Sequence, residues 1–200
     1  MSSTTRLPPG RKLDRSRDAA ILDATLSLLA ELGYEATTVD AVAARAGTVR
    51  ATVYRRWPTK IALAIAAVAH LGSVDAGSAV LPDTGNLRDD LLATIVPMSA
   101  EEQQLRIDVM STLADAGRTE PELAALTAGA GLEPWVEVSR SLLRRAVARG
   151  EYPSGDIETL ATVIPTMCLY RIAVQHEPIT KAFAIRLIDD IVLPALRGRS

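Results

Sequence analysis

The sequence predicts an all-helical protein, and three observations carry that reading. Apolar residues recur every three or four positions through most of the chain, the period of an amphipathic helix rather than of a strand. Ala, Leu, Val and Ile supply most of the hydrophobic content while only 4% of residues are aromatic, and β-branched runs bounded by turn signals are absent. Gly117, Gly150 with Pro153, and Pro178 interrupt the periodic stretches where helices would have to end.

Taken in order, residues 1–13 are rich in Pro, Gly, Ser and Thr and carry Arg6, Arg11 and Lys12, so they predict a flexible basic arm. From Asp14 the apolar positions Ile21, Leu22, Leu26, Leu28, Leu29 and Leu32 share one helical face, and Gly33 supplies a stop. Thr37 or Thr38 is the N-cap of a short second helix reaching Ala46. With Thr37 in that role, Asp40 completes a T-x-x-D pattern, and Gly47 ends the helix. A third helix runs from about Val49 to Trp57 and stops at Pro58, after which Thr59 caps a fourth over about 59–72. Residues 72–85 read as a turn-rich linker, which divides a head over 14–60 from a body over 73–200. Asn86, with Asp89 three residues on, caps a fifth helix that Pro97 ends or bends. Further helices are expected at about 102–116, 121–128, 132–149, 156–176 and 179–197, the penultimate one bent by Pro165.

The longest apolar run, Ile61 to Leu71, is well short of the roughly 20 residues of a membrane span, and the N-terminus lacks the apolar stretch of a signal peptide. A cytoplasmic protein with no membrane partner is expected. Cys168 is the sole cysteine, which excludes an internal disulfide and disfavours a thiolate metal site. His70 and His176 have no carboxylate or cysteine at ligand spacing, so no metal is expected. The pairs Glu101/Glu102 and Asp189/Asp190 are adjacent and diverge on a helix. No catalytic constellation results, so neither an enzyme nor a cofactor is expected. The net charge of −2 conceals an asymmetry: residues 1–60 hold ten Lys/Arg against six Asp/Glu, a net of +4, and the remainder is acidic. Such a head suits a polyanion, because phosphate attraction acts through local charge.

The basic charge converges on AARAGTVRATVYRRWPTK, residues 43–60. Two short helices joined by a tight glycine turn need small residues at their crossing, a turn residue tolerant of positive φ, and an apolar lock from the second helix. Ala43, Ala46, Gly47 and Val53 meet those needs. That is the pattern of a helix-turn-helix, whose second helix can lie in the major groove of DNA; alanine-rich helix pairs share it, and the flanking residues narrow the reading. The longer stretch TTVDAVAARAGTVRATVYRRWPTKIAL, residues 37–63, resembles the DNA-binding region of the TetR family of bacterial transcription regulators. LPDTGNLRDDLL, RRAVARGEYP and LYRIAVQHEPI are similar to one recurrent class of C-terminal domain in that family.

The resemblance implies a homodimeric, repressor-like regulator with a three-helix head and a larger helical body for ligand binding and dimerisation. Its partners would be a near-palindromic double-stranded operator and an unidentified small-molecule effector. Thr48, Val49, Arg50 and Ala51 then open the recognition helix, with Arg50 placed for a bidentate contact to guanine. Thr37, Thr38, Thr52, Tyr54, Arg55 and Lys60 are placed along the same interface, chiefly for phosphates, while Val53 and Trp57 pack in the head. Two positions depart from the family pattern. Val49 stands where a capping serine is common, which shifts the cap to Thr48, and Ile61 stands where glutamate is frequent.

Helix irregularities such as Pro165 border the effector pocket in this family, and Met98, Arg106, Met110, Trp135, Met167 and Tyr170 are the expected lining. The stripe Ile179, Phe183, Leu187, Ile188, Ile191 and Val192 on the last helix is wider than a single-chain bundle needs, and the last two helices, 156–176 and 179–197, are the expected dimer interface. The alternative left open by the residues is a structural or protein-binding helical bundle without DNA activity, which a gel shift separates from the regulator.

Overall fold

The computed structural model describes residues 15–78, 81–95, 98–153 and 155–197, and every regular element among them is helical. The basic arm and Pro97 lie outside the described residues. The head comprises α1 (Arg15–Ala36), α2 (Val39–Arg45) and α3 (Arg50–Arg56), and α4 (Lys60–Ser78) leads out of it. The body contains α5 (Leu87–Ala93), α6 (Ala100–Ala116), α7 (Pro121–Ala148), α8 (Ile157–Ala173), α9 (Lys181–Leu187) and α10 (Leu193–Leu196).

Local chemistry accounts for most boundaries. The hydroxyls of Thr59 and Thr180 accept the backbone N–H groups of Ala62 and Phe183, and Asn86 accepts that of Asp89. Ser99 and Glu102 form a reciprocal capping box, which starts α6 two residues earlier than its apolar pattern suggests. Helix α5 ends at Ala93, where the Thr94 hydroxyl donates to the Leu91 carbonyl at 2.7 Å.

Gly33 interrupts α1 as expected: at φ 80° and ψ 169° it is non-helical, and only a short further turn follows to Ala36. Three expectations need correction. The linker predicted from residue 72 is helical as far as Ser78, because Gly72 is a contact point and not a break. The separate helices at 121–128 and 132–149 are one helix running through Gly129, Gly131 and Pro134. The last helix is not uniform. It passes through a π-helical turn at Ile188–Val192, in which the Leu193 N–H reaches back five residues to Ile188. Pro194 supplies the reason, since it has no N–H to donate and its ring crowds the carbonyl four residues earlier.

Two apolar cores result. The first joins the head to the body: Ile21, Leu29, Val42 and Val53 pack with Leu63 and Val68 of α4, and with Val109 and Leu113 of α6. The second holds Leu87, Leu142, Leu143, Ile164, Ile188 and Val192 at the far end of the body. Beside this second core, the fully buried Asp90 accepts hydrogen bonds from the backbone and hydroxyl of Thr84, from Arg145 at 3.1 Å and from Arg149 at 3.0 Å. That cluster ties the segment before α5 to the C-terminal end of α7. Among the described residues no helix is long and apolar enough to cross a membrane.

Candidate nucleic-acid interface and ligand cavity

The turn between α2 and α3 follows from its glycine. Gly47 sits at φ 63°, and the Thr48 N–H bonds the Ala43 carbonyl at 2.9 Å across it. Ala43 and Val53 are buried where the two helices cross, with Ala46 and Trp57 packed against the same cluster. On α3 the helical period then separates two faces. Thr52 and Val53 point inward, leaving Arg50, Ala51, Tyr54 and Arg55 exposed, preceded by Val49 at 64% exposure.

This exposed face is already organised. The Arg50 guanidinium pairs with Asp40 of α2 at 2.9 Å, bonds the Tyr54 hydroxyl at 3.3 Å and lies 5.0 Å from the Tyr54 ring centre. Its side chain is thereby aimed from two sides, and the Tyr54 and Asp40 contacts raise its pKa further. Arg55 is exposed and has no ion pair among the described residues, which leaves its guanidinium available to an incoming anion. Arg56 turns back instead to pair with Asp18 of α1, and Arg45 makes a bidentate pair with Glu31 at 2.7 Å. These ion pairs brace the head, and the basic residue count alone does not reveal them.

Several expected contact residues sit differently. Thr38, not Thr37, caps α2 by accepting the Ala41 N–H at 3.1 Å. Thr37 is buried and donates its hydroxyl to the Gly33 carbonyl at 2.8 Å, while Thr52 is buried beside Val53, so neither hydroxyl faces outward. Thr48 does not cap α3. Val49 occupies the N-cap position with no side-chain bond, so α3 begins at Arg50. Lys60 is half-buried; it donates to the Glu35 carbonyl at 3.0 Å and sits 4.2 Å over the Tyr34 ring. It retains N–H donors for a phosphate, yet its visible work is to fasten the start of α4 to the end of α1. Burial pushes the Tyr34 phenol up to about 12, with Glu120 and Glu35 adding to the shift, so the ring under Lys60 stays neutral.

A cavity of about 390 Å³ lies in the body between the two cores. Met98, Arg106, Met110 and Trp135 line it as expected, together with Pro165. Met167 and Tyr170 do not. The residues of α8 that reach the cavity are Ile164, Pro165, Cys168, Leu169 and Ile172, and helical spacing puts Met167, Tyr170 and Val174 on the opposite, exposed face. Ser139, one turn after Trp135, was not anticipated, nor were Val68 and Leu71 of α4; the 3–4 residue spacing from Trp135 is the signal that reaches Ser139. Burial raises the Cys168 thiol pKa to about 11 against a smaller lowering by Arg171, which keeps it protonated at neutral pH.

At the cavity wall α4 crosses α7 with almost no clearance. A Cβ placed on Gly72 would stand 2.6 Å from the Gly131 carbonyl oxygen, so only glycine allows this approach. On the other side, Thr112 of α6, two residues after Met110, accepts the Tyr34 N–H at 3.0 Å beside the Gly33 kink. Cavity and head are therefore joined through both α4 and α6.

The expected dimer stripe also divides. Leu187 and Ile188 are buried in the chain's own second core, which leaves them little surface for a partner, and the part-buried Ile179 borders the cavity. Ile191 is 45% exposed and Phe183 is half-buried beneath Arg171, 4.5 Å from its ring centre. With Met167, Tyr170 and Val174 they form an exposed apolar face on α8 and α9.

Comparison with known proteins agrees with this architecture. Residues 21–67 match the model of bacterial regulatory proteins of the tetR family, and residues 81–191 match the tetracyclin repressor-like C-terminal domain. An uncharacterised HTH-type transcriptional regulator from Mycobacterium tuberculosis is 37% identical over 182 residues, covering 90% of this chain and 88% of that one. A DNA-binding transcriptional repressor from Mycobacteroides abscessus is 33% identical over 184 residues, covering 91% and 95%. The crystal structure of a regulator assigned to the same family, from a Rhodococcus species, superposes with a TM-score of 0.68 at 20% identity and covers 91% of this chain and 99% of that one.

Proposed function

Because the chain belongs to the TetR family of bacterial regulatory proteins, which are DNA-binding transcription regulators and not enzymes, we propose that it is a homodimeric, ligand-responsive repressor. The relative named as a repressor, which is alike over 91% of the chain, supports the sign of regulation. In this reading α3 enters the major groove. Val49, Arg50 and Ala51 meet base edges, while Thr38, Tyr54, Arg55 and Lys60 meet the phosphates. The apolar face made by Met167, Tyr170, Val174 and Ile191 is the dimer contact, since an exposed patch of that kind on two adjoining helices suits a self-complementary interface.

The observation that carries ligand response is the position of the cavity against the glycine crossing of α4 and α7. Two recognition helices in successive major grooves must stand about 34–36 Å apart, so a small tilt of α4 costs the operator contact. A ligand that fits the cavity better when α4 is tilted shifts the population away from the DNA-bound form, and by linkage the operator weakens ligand binding by the same factor.

The test is to enrich random duplexes on the full-length protein and to measure affinity for the winners across salt. Two half-sites related by a dyad are expected, with affinity falling steeply as salt rises. Enrichment of a single asymmetric site, or an affinity indifferent to salt, would overturn the proposal.

A further inference from the structure

The cavity is walled by carbon over most of its surface, with Val68, Met110, Leu132, Trp135, Ile164 and Ile172 contributed by four different helices. Two charged residues border it, Glu102 and Arg106, and they have opposite signs one turn apart on α6. The Glu102 carboxylate is held in its ionised form by the Ser99 backbone N–H, which it accepts at 2.7 Å, with Arg106 reinforcing the effect. The wall therefore offers no net charge to balance an ionic ligand, which would shed its hydration on entering without adequate repayment.

The hydrogen-bonding groups of the interior are few. The Thr94 hydroxyl donates to Leu91, and Cys168 remains a neutral thiol and a weak partner. Ser139 differs. It is 8% exposed and lines the cavity, and its hydroxyl makes no hydrogen bond among the described residues. Trp135, the large aromatic surface of the wall, stands one turn earlier on the same face of α7. That hydroxyl borders a space that a guest would fill, and a guest's polar group can supply the partner it lacks in the protein.

We propose that the effector is an uncharged, ring-containing molecule whose single hydroxyl or carbonyl group bonds the Ser139 hydroxyl while its ring lies against Trp135. This rests on the reading of the cavity as the effector site. The apolar wall supplies most of the affinity and Ser139 the orientation, as in small-molecule sites generally, where few polar groups fix the pose. A carboxylate of the same size is disfavoured because Arg106, the one cation of the wall, already faces the Glu102 carboxylate one turn away.

The experiment uses the full-length protein and three probes of nearly equal shape: 2-naphthol, naphthalene and 2-naphthoate, titrated by calorimetry at neutral pH. Expected is a roughly three- to tenfold preference for 2-naphthol over naphthalene, the range of one net hydrogen bond, and a weaker affinity still for 2-naphthoate. In Ser139→Ala the preference for 2-naphthol disappears while naphthalene affinity holds. A 2-naphthoate affinity equal to or above that of 2-naphthol in the wild-type chain overturns the inference without any variant. A 2-naphthol preference that survives Ser139→Ala overturns the role of Ser139. Both outcomes leave the cavity as a ligand site, whereas binding of none of the three removes that reading and this inference together.

Discussion

Replacing Gly72 by alanine tests the coupling between cavity and head at its tightest point. The new Cβ would lie 2.6 Å from the carbonyl oxygen of Gly131, and 3.3 Å and 3.4 Å from its carbonyl carbon and Cα. All three are backbone atoms of α7, so no side chain can turn away, and restoring ordinary contact needs α4 and α7 to part by roughly 0.8 Å. Overpacking of this kind costs about 1–3 kcal/mol, against a gain of up to about 1 kcal/mol for replacing a helical glycine. The net expectation is a loss of about 1 kcal/mol or slightly more in urea unfolding.

The reciprocal change, Gly131→Ala, is the control. Its Cβ would meet only Val68 Cγ1, at 2.9 Å, one side-chain methyl in place of three backbone atoms. The loss of stability should be smaller there. Because α4 carries the head, Gly72→Ala should also weaken binding to an enriched duplex by about tenfold, equivalent to about 1.4 kcal/mol, with Gly131→Ala nearer to wild type. Fluorescence anisotropy with a labelled duplex measures both. Equal stability and equal DNA affinity for the two variants would refute the argument that this crossing sets the position of α4.

Asp90→Asn removes the charge that faces Arg145 and Arg149 in a buried site and should cost about 3–5 kcal/mol in denaturant unfolding. Burial alone would raise the Asp90 pKa, but the hydrogen bonds from Thr84, Arg149 and Arg145 outweigh it and hold the carboxyl down at about 2 against an ordinary 3.8. A depressed carboxyl stabilises the fold above its unfolded value. Asp90 should therefore contribute about 2 kcal/mol that is full above pH 3.8 and lost as pH falls through about 2, a window that Asp90→Asn should flatten. Ile191→Glu and Tyr170→Glu should give folded monomers in analytical ultracentrifugation, whereas Leu187→Glu, at a 4% exposed position, should lose the fold instead. Arg50→Ala should relax the preference at one base position by about 1–3 kcal/mol, and Arg55→Ala should weaken all duplexes alike and lower the salt slope by about 1; identical behaviour across a duplex library would remove both assignments.

The head was legible in the sequence because its geometry leaves few options. Gly47 is needed at positive φ, Ala43 and Val53 must be small or apolar at the crossing, and Pro58 must stop α3. Caps outside the head were equally readable at Asn86 and Thr59, where a short polar side chain precedes an apolar run. What failed were inferences from glycine inside α4 and α7. Residue 72 and the gap at 129–131 read as breaks, but Gly72 and Gly131 allow two long helices to touch within continuous helical stretches. Sequence spacing shows that a residue is permissive without showing whether the permission is used for a turn or for a contact.

The candidate sites were less legible than the head for a related reason. On α8 two apolar stripes run side by side, Ile164, Cys168 and Ile172 on one and Met167, Tyr170 and Val174 on the other, and both have the same helical period. Period alone makes either stripe core, cavity wall or outer face. The destination is set by what crosses above: α4, α6 and α7 close over the first stripe and leave a space, while the second stays exposed among the described residues. The last helix repeats the ambiguity, since the π-helical turn before Pro194 changes the register and sends Ile188 and Val192 inward while Ile191 stays out. Recognition chemistry on α3 escapes this difficulty because charged and aromatic side chains cannot be buried cheaply, so Arg50, Tyr54 and Arg55 identify their own face. Apolar sites carry no such label, and their assignment waits on the tertiary fold.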